Sequence, residues 1–224
     1  MTSTPLLALM TIAQALVTSG PNTSRSDLPK AMSGSSPAPE QVERVIVDFT
    51  GEHPQRWAIV NDGVMGGRSN SNIEVTDQRT AVFSGFLSLE NNGGFASTRA
   101  ALGSKVLEGF DGVVLRVRGD GRTYQLRFRM DGRFDGVAYQ AEFTTESGEW
   151  TEVDLPFEAF QPSFRGFVPR RVPGLDPPRI RQMGILIGDK IEGPFSLELE
   201  WVKAYRRAET DEPAAEPSFL SEVL

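Results

Sequence analysis

One histidine, no cysteine and nineteen arginines set the chemical repertoire of this 224-residue chain. Without cysteine there is no disulfide, no zinc-thiolate site and no thiol nucleophile. A Ser-His-Asp triad would have to use His53, which precedes Pro54 in a loop-like stretch, and no serine has the Gly-X-Ser-X-Gly setting of a nucleophile elbow. His53 therefore reads as a surface histidine, and no catalytic residue is assigned. Carboxylates are plentiful, but Asp111, Asp120, Asp131 and Asp135 all neighbour glycines, where Asp caps its own turn. "DGRFDG" (131–136) has the oxygens for a calcium ion without the full spacing of an EF-hand loop, so no metal ligand and no cofactor is named. "GDGR" and "DGVMGGRS" lack the Gly-Lys-Ser/Thr ending of a phosphate loop and open no helix.

The densest polar feature is arginine. Six arginines fall between positions 116 and 133, and residues 40–207 hold eighteen arginines against three lysines. A guanidinium is a planar fork of five donors suited to carboxylates and carbonyls at interfaces. In 112–118 (GVVLRVR) and 123–130 (TYQLRFRM), apolar and polar residues alternate, and a tight Gly119–Arg122 turn joins the two. Read as a hairpin, the pair puts Arg116, Arg118, Arg127 and Arg129 on one face and the apolar set on the other. Glu142, Glu198 and Glu200 are the acids that could compensate them. Whatever stays uncompensated is a candidate surface for an acidic or carbonyl-rich protein partner.

These residues need a scaffold, and the pattern for it is period-2 with almost no helical repeat. Expected strands are 44–49, 71–76, 80–89, 95–100, 112–118, 123–130, 138–145, 150–154, 180–188 and 195–205. The turn signals NNGG, EGFDG, RGDGR, DGRFDG, ESGE and IEGP separate them. Many short strands without crossover helices predict an all-β protein, an antiparallel jelly-roll β-sandwich. The domain is expected over residues 41–207. It is flanked by a Ser/Pro/Gly-rich linker at 21–40 and an acidic tail at 208–224, which holds five acids and no base. Residues 1–20 have the apolar run and small residues of an export signal, though no Lys or Arg precedes the run. The expected location is exported or periplasmic if that signal acts, and cytoplasmic otherwise. The run is too short and polar for a stable membrane span. A formal charge of −7 argues against nucleic acid as a partner.

One stretch is neither strand nor ordinary turn. In "VNDGVMGGRSNS" (60–71), Gly66-Gly67 would let the backbone lie close against another segment, with "NNGGF" (91–95) the expected neighbour. Asp62 would cap its own turn or pair with Arg68 or Arg99, and Met65 would be a plug or an exposed contact. Asp62, Met65, Arg68 and Arg99 therefore join the partner-binding candidates. Trp57, Trp150 and Trp201 read as core.

Five segments, WAIVNDGVMGGRSNS (57–71), FSGFLSLENNGGFASTR (83–99), FDGVVLRVRGDGRTYQLRFR (110–129), GEWTEVDLPFEAFQPSFRG (148–166) and MGILIGDKIEGPFSLELEWVKAY (183–205), occur in order. Together they resemble the complex I intermediate-associated protein 30 family across most of the 41–207 body. The resemblance implies a galactose-binding-domain-like fold similar to family 11 carbohydrate-binding modules. It also implies a chaperone-like, non-enzymatic assembly factor, with respiratory-complex subunits or assembly intermediates as protein partners. The chain lacks the basic transit peptide of the mitochondrial members, which suits a related bacterial role. The alternative, by fold analogy, is a module that binds a polysaccharide.

Overall fold

The computed structural model describes residues 42–50, 56–133 and 135–207. His53 and the expectations for 1–20, 21–40 and 208–224 lie outside them. Twelve strands account for the described fold: β1 (Val42–Val47), β2 (Trp57–Ile59), β3 (Asn70–Val75), β4 (Ala81–Leu87), β5 (Ala96–Ala101), β6 (Gly112–Arg118), β7 (Thr123–Arg129), β8 (Ala138–Thr144), β9 (Trp150–Pro156), β10 (Gln161–Ser163), β11 (Gln182–Ile187) and β12 (Gly193–Arg206). They form two six-stranded sheets. The first runs β3-β4-β12-β6-β9, with β1 also paired to β12, and the second runs β10-β8-β7-β11-β5-β2. Every strand pairing is antiparallel. β12 is long enough to serve two neighbours on one edge: Gly193–Leu199 pairs with β4, and Val202–Arg206 pairs with β1.

Alternation sets the layers. Val113, Leu115 and Val117 of β6 and Tyr124, Leu126 and Phe128 of β7 are fully buried, while the residues between them are partly exposed. Both apolar rows enter one core cluster, in which Phe128 packs on Phe157 and Phe160 with ring centroids 6.0 and 5.0 Å apart. Burying side chains of this size supplies most of the favourable free energy of the sandwich.

The expected 112–130 hairpin is corrected by this topology. β6 pairs with β12 and β9, whereas β7 pairs with β8 and β11, so Gly119–Arg122 carries the chain from one sheet to the other. A hairpin and a sheet-to-sheet crossover show the same alternation. They differ in whether the two apolar rows lie side by side or face each other. Asp120 secures the crossing: its Oδ1 accepts from the Arg122 N–H (3.1 Å) and the Tyr124 hydroxyl (3.0 Å), and its Oδ2 accepts from the Ser196 N–H at 2.8 Å. The expected boundaries of the ten longer strands hold to within a few residues, while β2 and β10 were not anticipated. Each is three residues long and lies at an edge of the second sheet, where Pro162 needs no ladder partner for a missing N–H.

Candidate functional site

Three polar assemblies emerge from the residues singled out above. The first is the glycine-rich loop. Asp62 opens a short 3-10 turn (Asp62–Met65), and its side chain is fully buried. Its Oδ1 accepts from the Ser69 N–H (2.9 Å), and its Oδ2 accepts from the Ser69 hydroxyl (2.5 Å), the Gly94 N–H (2.7 Å) and the Phe95 N–H (3.3 Å). Burial alone would raise its pKa, but these four donors outweigh it and leave the carboxyl below its usual value. The glycines make room for the carboxylate. A Cβ on Gly67 would overlap Asp62 Cγ, and one on Gly93 would lie 2.6 Å from Asp62 Oδ2. The loop meets the NNGGF segment through Asp62, on the Gly94 and Phe95 N–H groups, and not through Gly66-Gly67 as expected: a Cβ on Gly67 would meet Asp62 first, and one on Gly66 nothing within 4 Å. The expected pairing of Asp62 with Arg68 or Arg99 is corrected: backbone and Ser69 donors fill both oxygens, and Arg68 instead meets Glu90 at 2.7 Å on the exposed side. Met65 is exposed, as is Val64 beside it.

The second assembly covers the outer face of the first sheet. Arg116 reaches Glu152 (3.3 Å) and Glu200 (2.5 Å), and Arg118 places Nε and Nη2 on Glu198 at 3.0 and 2.5 Å. Glu198 also accepts from Thr80 Oγ1 at 2.6 Å. Both guanidinium groups lie over the Trp150 ring, and Lys203 lies over Trp201 and pairs with Glu43. This is a compensated lattice. Trp150 and Trp201 belong to it and not to the core, which corrects the sequence reading. A bulge between Leu199 and Trp201 turns both Glu200 and Trp201 outward. Trp57, by contrast, packs partly buried against the core, with its indole N–H lacking an acceptor. Glu142 compensates none of the arginines expected of it, and accepts instead from Gln125 of the adjacent strand.

The third assembly is on the outer face of the second sheet. Arg127 and Arg129 point there from β7, and Arg99 joins them from β5. The four arginines expected on one face are therefore divided two and two, and Arg99 completes the second group. A cleft forms over Gly184, lined by Ser97, Arg99, Arg127, Arg129 and Gln182. Arg129 donates to the Gly136 carbonyl. Arg127 Nε is buried without a hydrogen-bond partner. Burial, reinforced by the neighbouring guanidinium groups, pulls Arg127 and Arg99 down to about 10, and burial lowers Arg129 against the pull of Asp131 and Asp135. The Asp residues of DGRFDG serve arginines: Asp131 binds Arg133, and Asp135 binds Arg165.

Sequence reasoning missed Arg122. Its guanidinium grips Asp189 with bonds of 2.9 and 2.7 Å and also donates to the Ile191, Gly193 and Pro194 carbonyls, tying the crossover to the β11–β12 loop. Both side chains are close to fully buried. A signal existed in the DGR and GDK turns, where an acid and a base sit beside glycine, but it does not say which acid meets which base.

The fold matches family 11 carbohydrate-binding modules. One is the module of a cellulosomal cellulase of Clostridium thermocellum, with a TM-score of 0.56 at 16% identity over 75% of this chain and 95% of that one. The module from the same organism in complex with a beta-1,3-1,4-mixed-linked tetrasaccharide gives 0.55, also at 16% identity, over 75% and 98%. At such identity the likeness is one of fold. In sequence, the chain is 32% identical over 191 residues to the mouse (Mus musculus) protein named "Complex I intermediate-associated protein 30, mitochondrial", covering 75% of this chain and 57% of that protein. The Drosophila melanogaster protein of the same name is 24% identical over 181 residues, covering 70% and 61%. The chain thus spans somewhat over half the length of these two relatives. The model of the family described as Complex I intermediate-associated protein 30 matches residues 47–199, from the end of β1 into the middle of β12. With that match running through both sheets and taking in the glycine-rich loop and the second-sheet arginines, the chain belongs to the complex I intermediate-associated protein 30 family.

Proposed function

We infer that this chain is a non-catalytic binding domain that engages a protein partner during assembly of NADH:ubiquinone oxidoreductase or a related respiratory complex. The observation that carries this reading is the family match over residues 47–199. Arg127 on the second sheet supports a partner surface there, since its buried, unmatched Nε donor would be completed by an incoming acceptor. Asp62, Met65, Arg68 and Arg99 extend the candidate surface along the same sheet's β2–β5 edge, where Asp62 shapes the loop and Met65 offers an exposed apolar contact. Arg116 and Arg118 belong to the opposite face, where acids already occupy them, and contribute less.

A glycan is the second reading, favoured by the fold of a saccharide-bound module. Against it, all three tyrosines are buried and Trp150 and Trp201 are covered by cationic side chains, so these five rings offer no open stacking platform for a sugar. The test is capture of the tagged full chain from its native host with identification of bound proteins, alongside a glycan array and the complex I content of a deletion strain on native gels. Complex I subunits or assembly intermediates in the eluate and a fall in assembled complex are expected. Unchanged complex I together with saturable binding to a mixed-linked glucan would replace this reading with the second.

A further inference from the structure

Arg99, Gly184 and Arg127 stand abreast on β5, β11 and β7, with Ala101, Gln182 and Arg129 abreast one outward pair further along. Neighbouring strands lie about 4.8 Å apart, so the two arginine backbones are roughly 10 Å apart with only glycine between them. A Cβ at 184 would lie 2.7 Å from the Thr98 carbonyl oxygen and 3.3 Å from Arg99 Cγ, so the floor of the cleft stays bare. The cleft above it is small, with about 10 Å³ open to the centre of a water-sized group, and it opens to solvent.

Six arginines elsewhere in the described fold are answered by carboxylates. Arg68, Arg116, Arg118, Arg122, Arg133 and Arg165 each hold one within 3.3 Å. Among the described residues, Arg127 and Arg129 form no such pair, and Arg127 Nε is withdrawn from water with nothing to donate to. Like charges gathered in a partly desolvated site destabilise the fold until an anion enters.

We propose that the cleft over Gly184 is a carboxylate-binding site that receives an Asp or Glu side chain from a peptide segment of the protein partner. The proposal rests on the partner-binding reading above. A carboxylate presents two oxygens to a planar donor fork, the pairing that Arg122 makes with Asp189. The rim favours a peptide over a free ion. Asp135, whose charge acts on Arg99 and Arg129, is bound by Arg165, and Arg165 lies over Phe164. Phe164, Phe167 and Val168 expose apolar surface on that same loop, so an acidic residue with apolar neighbours fits cleft and rim together.

The probe is an acetylated, amidated peptide of sequence Glu-Phe-Glu-Val-Glu, with its Gln-for-Glu counterpart, titrated into the full chain by calorimetry and thermal melting. The wild type is expected to bind the acidic peptide at least tenfold more tightly than the Gln peptide and to melt several degrees higher with it. Arg127→Met is expected to melt at or above the wild type without peptide and to lose affinity at least tenfold, while Arg116→Met keeps the wild-type affinity. Three results would overturn the proposal: Arg127→Met melting several degrees lower, Arg127→Met binding the peptide unchanged, or inorganic phosphate at equal concentration stabilising the wild type as much as the peptide does. If Arg127→Met still captures complex I subunits from the host, the cleft assignment fails and the assembly reading stands. If the peptide data hold and no respiratory subunit is captured, the assembly reading fails and the cleft stands.

Discussion

The buried carboxylate of Asp62 and the backbone N–H of Gly94, 32 residues apart in sequence, lie 2.7 Å from each other and stitch the glycine-rich loop to the NNGGF segment. Asp62→Asn replaces an acceptor oxygen with an NH₂ that faces other donors. It is expected to cost about 2–4 kcal/mol, since hydrogen bonds to a charged group are worth roughly 1.5–3 kcal/mol each. That corresponds to a Tm fall of roughly 5–15 °C in a chain this size. The folded-state pKa of Asp62 is depressed, so its contribution is complete above the ordinary Asp value of about 4 and fades as pH drops below it. Thermal melts of both proteins from pH 7 to pH 2.5 should therefore converge at the acid end.

The glycines around Asp62 separate space from conformation. Gly93→Ala would push a Cβ to 2.6 Å from Asp62 Oδ2 and 2.9 Å from the Glu90 carbonyl, and is expected to cost about 1–3 kcal/mol, the usual range for overpacking. Gly63 in the same region has nothing within 4 Å of its added Cβ. Gly63→Ala should stay within about 0.5 kcal/mol of the wild type or gain slightly. Chemical denaturation of the two variants checks the contrast.

Arg122→Met should be among the most damaging single changes in the domain. It strands the buried Asp189 carboxylate and releases three loop carbonyls, and removing one partner of a buried pair costs about 3–5 kcal/mol. Denaturant unfolding of the variant should show a lower midpoint with an unchanged slope.

Arg116→Met and Arg127→Met should move stability in different directions. Arg116 is a partly exposed member of the outer lattice, so its loss costs about 1 kcal/mol or less and shrinks in high salt. Arg127 carries a folded-state pKa lowered to about 10, so the wild type is penalised throughout the neutral range and recovers as pH rises through 10. The advantage of Arg127→Met over the wild type should be largest near neutrality and narrow above pH 10, as melts across that range would show.

How much was legible in the sequence depends on the distance over which each feature is determined. Strand alternation is local, and the two-faced patterns of β6 and β7 were readable to the residue. Which sheet each strand joins is decided by distant partners: β12 for β6, and β11 for β7. That is why Arg116 and Arg118 were grouped with Arg127 and Arg129 although the fold sends them to opposite faces. That the two glycine-rich stretches meet was legible in their bare backbone, but the link runs through Asp62 and not through Gly66-Gly67. The filling of Asp62 by backbone donors was not, because a backbone N–H carries no side-chain signature. Trp150 and Trp201 misled for a related reason. On a sheet face crowded with arginine, an indole ring can be covered by guanidinium groups as well as by apolar neighbours.

β11 and β12, the last of the described strands in chain order, lie inside their sheets: β12 between β6 and the β4/β1 edge, β11 between β5 and β7. On the ribosome, β4, β5, β6 and β7 therefore emerge with unfilled ladders, and neither layer can close until residues 182–206 arrive. Such edges and the bare inner faces beside them are the surfaces through which unfinished β-chains aggregate. A message truncated ahead of β11 should yield insoluble product and no partly active domain. The strand order thus leaves the growing chain exposed for most of its synthesis, and shielding during translation is expected to raise its soluble yield.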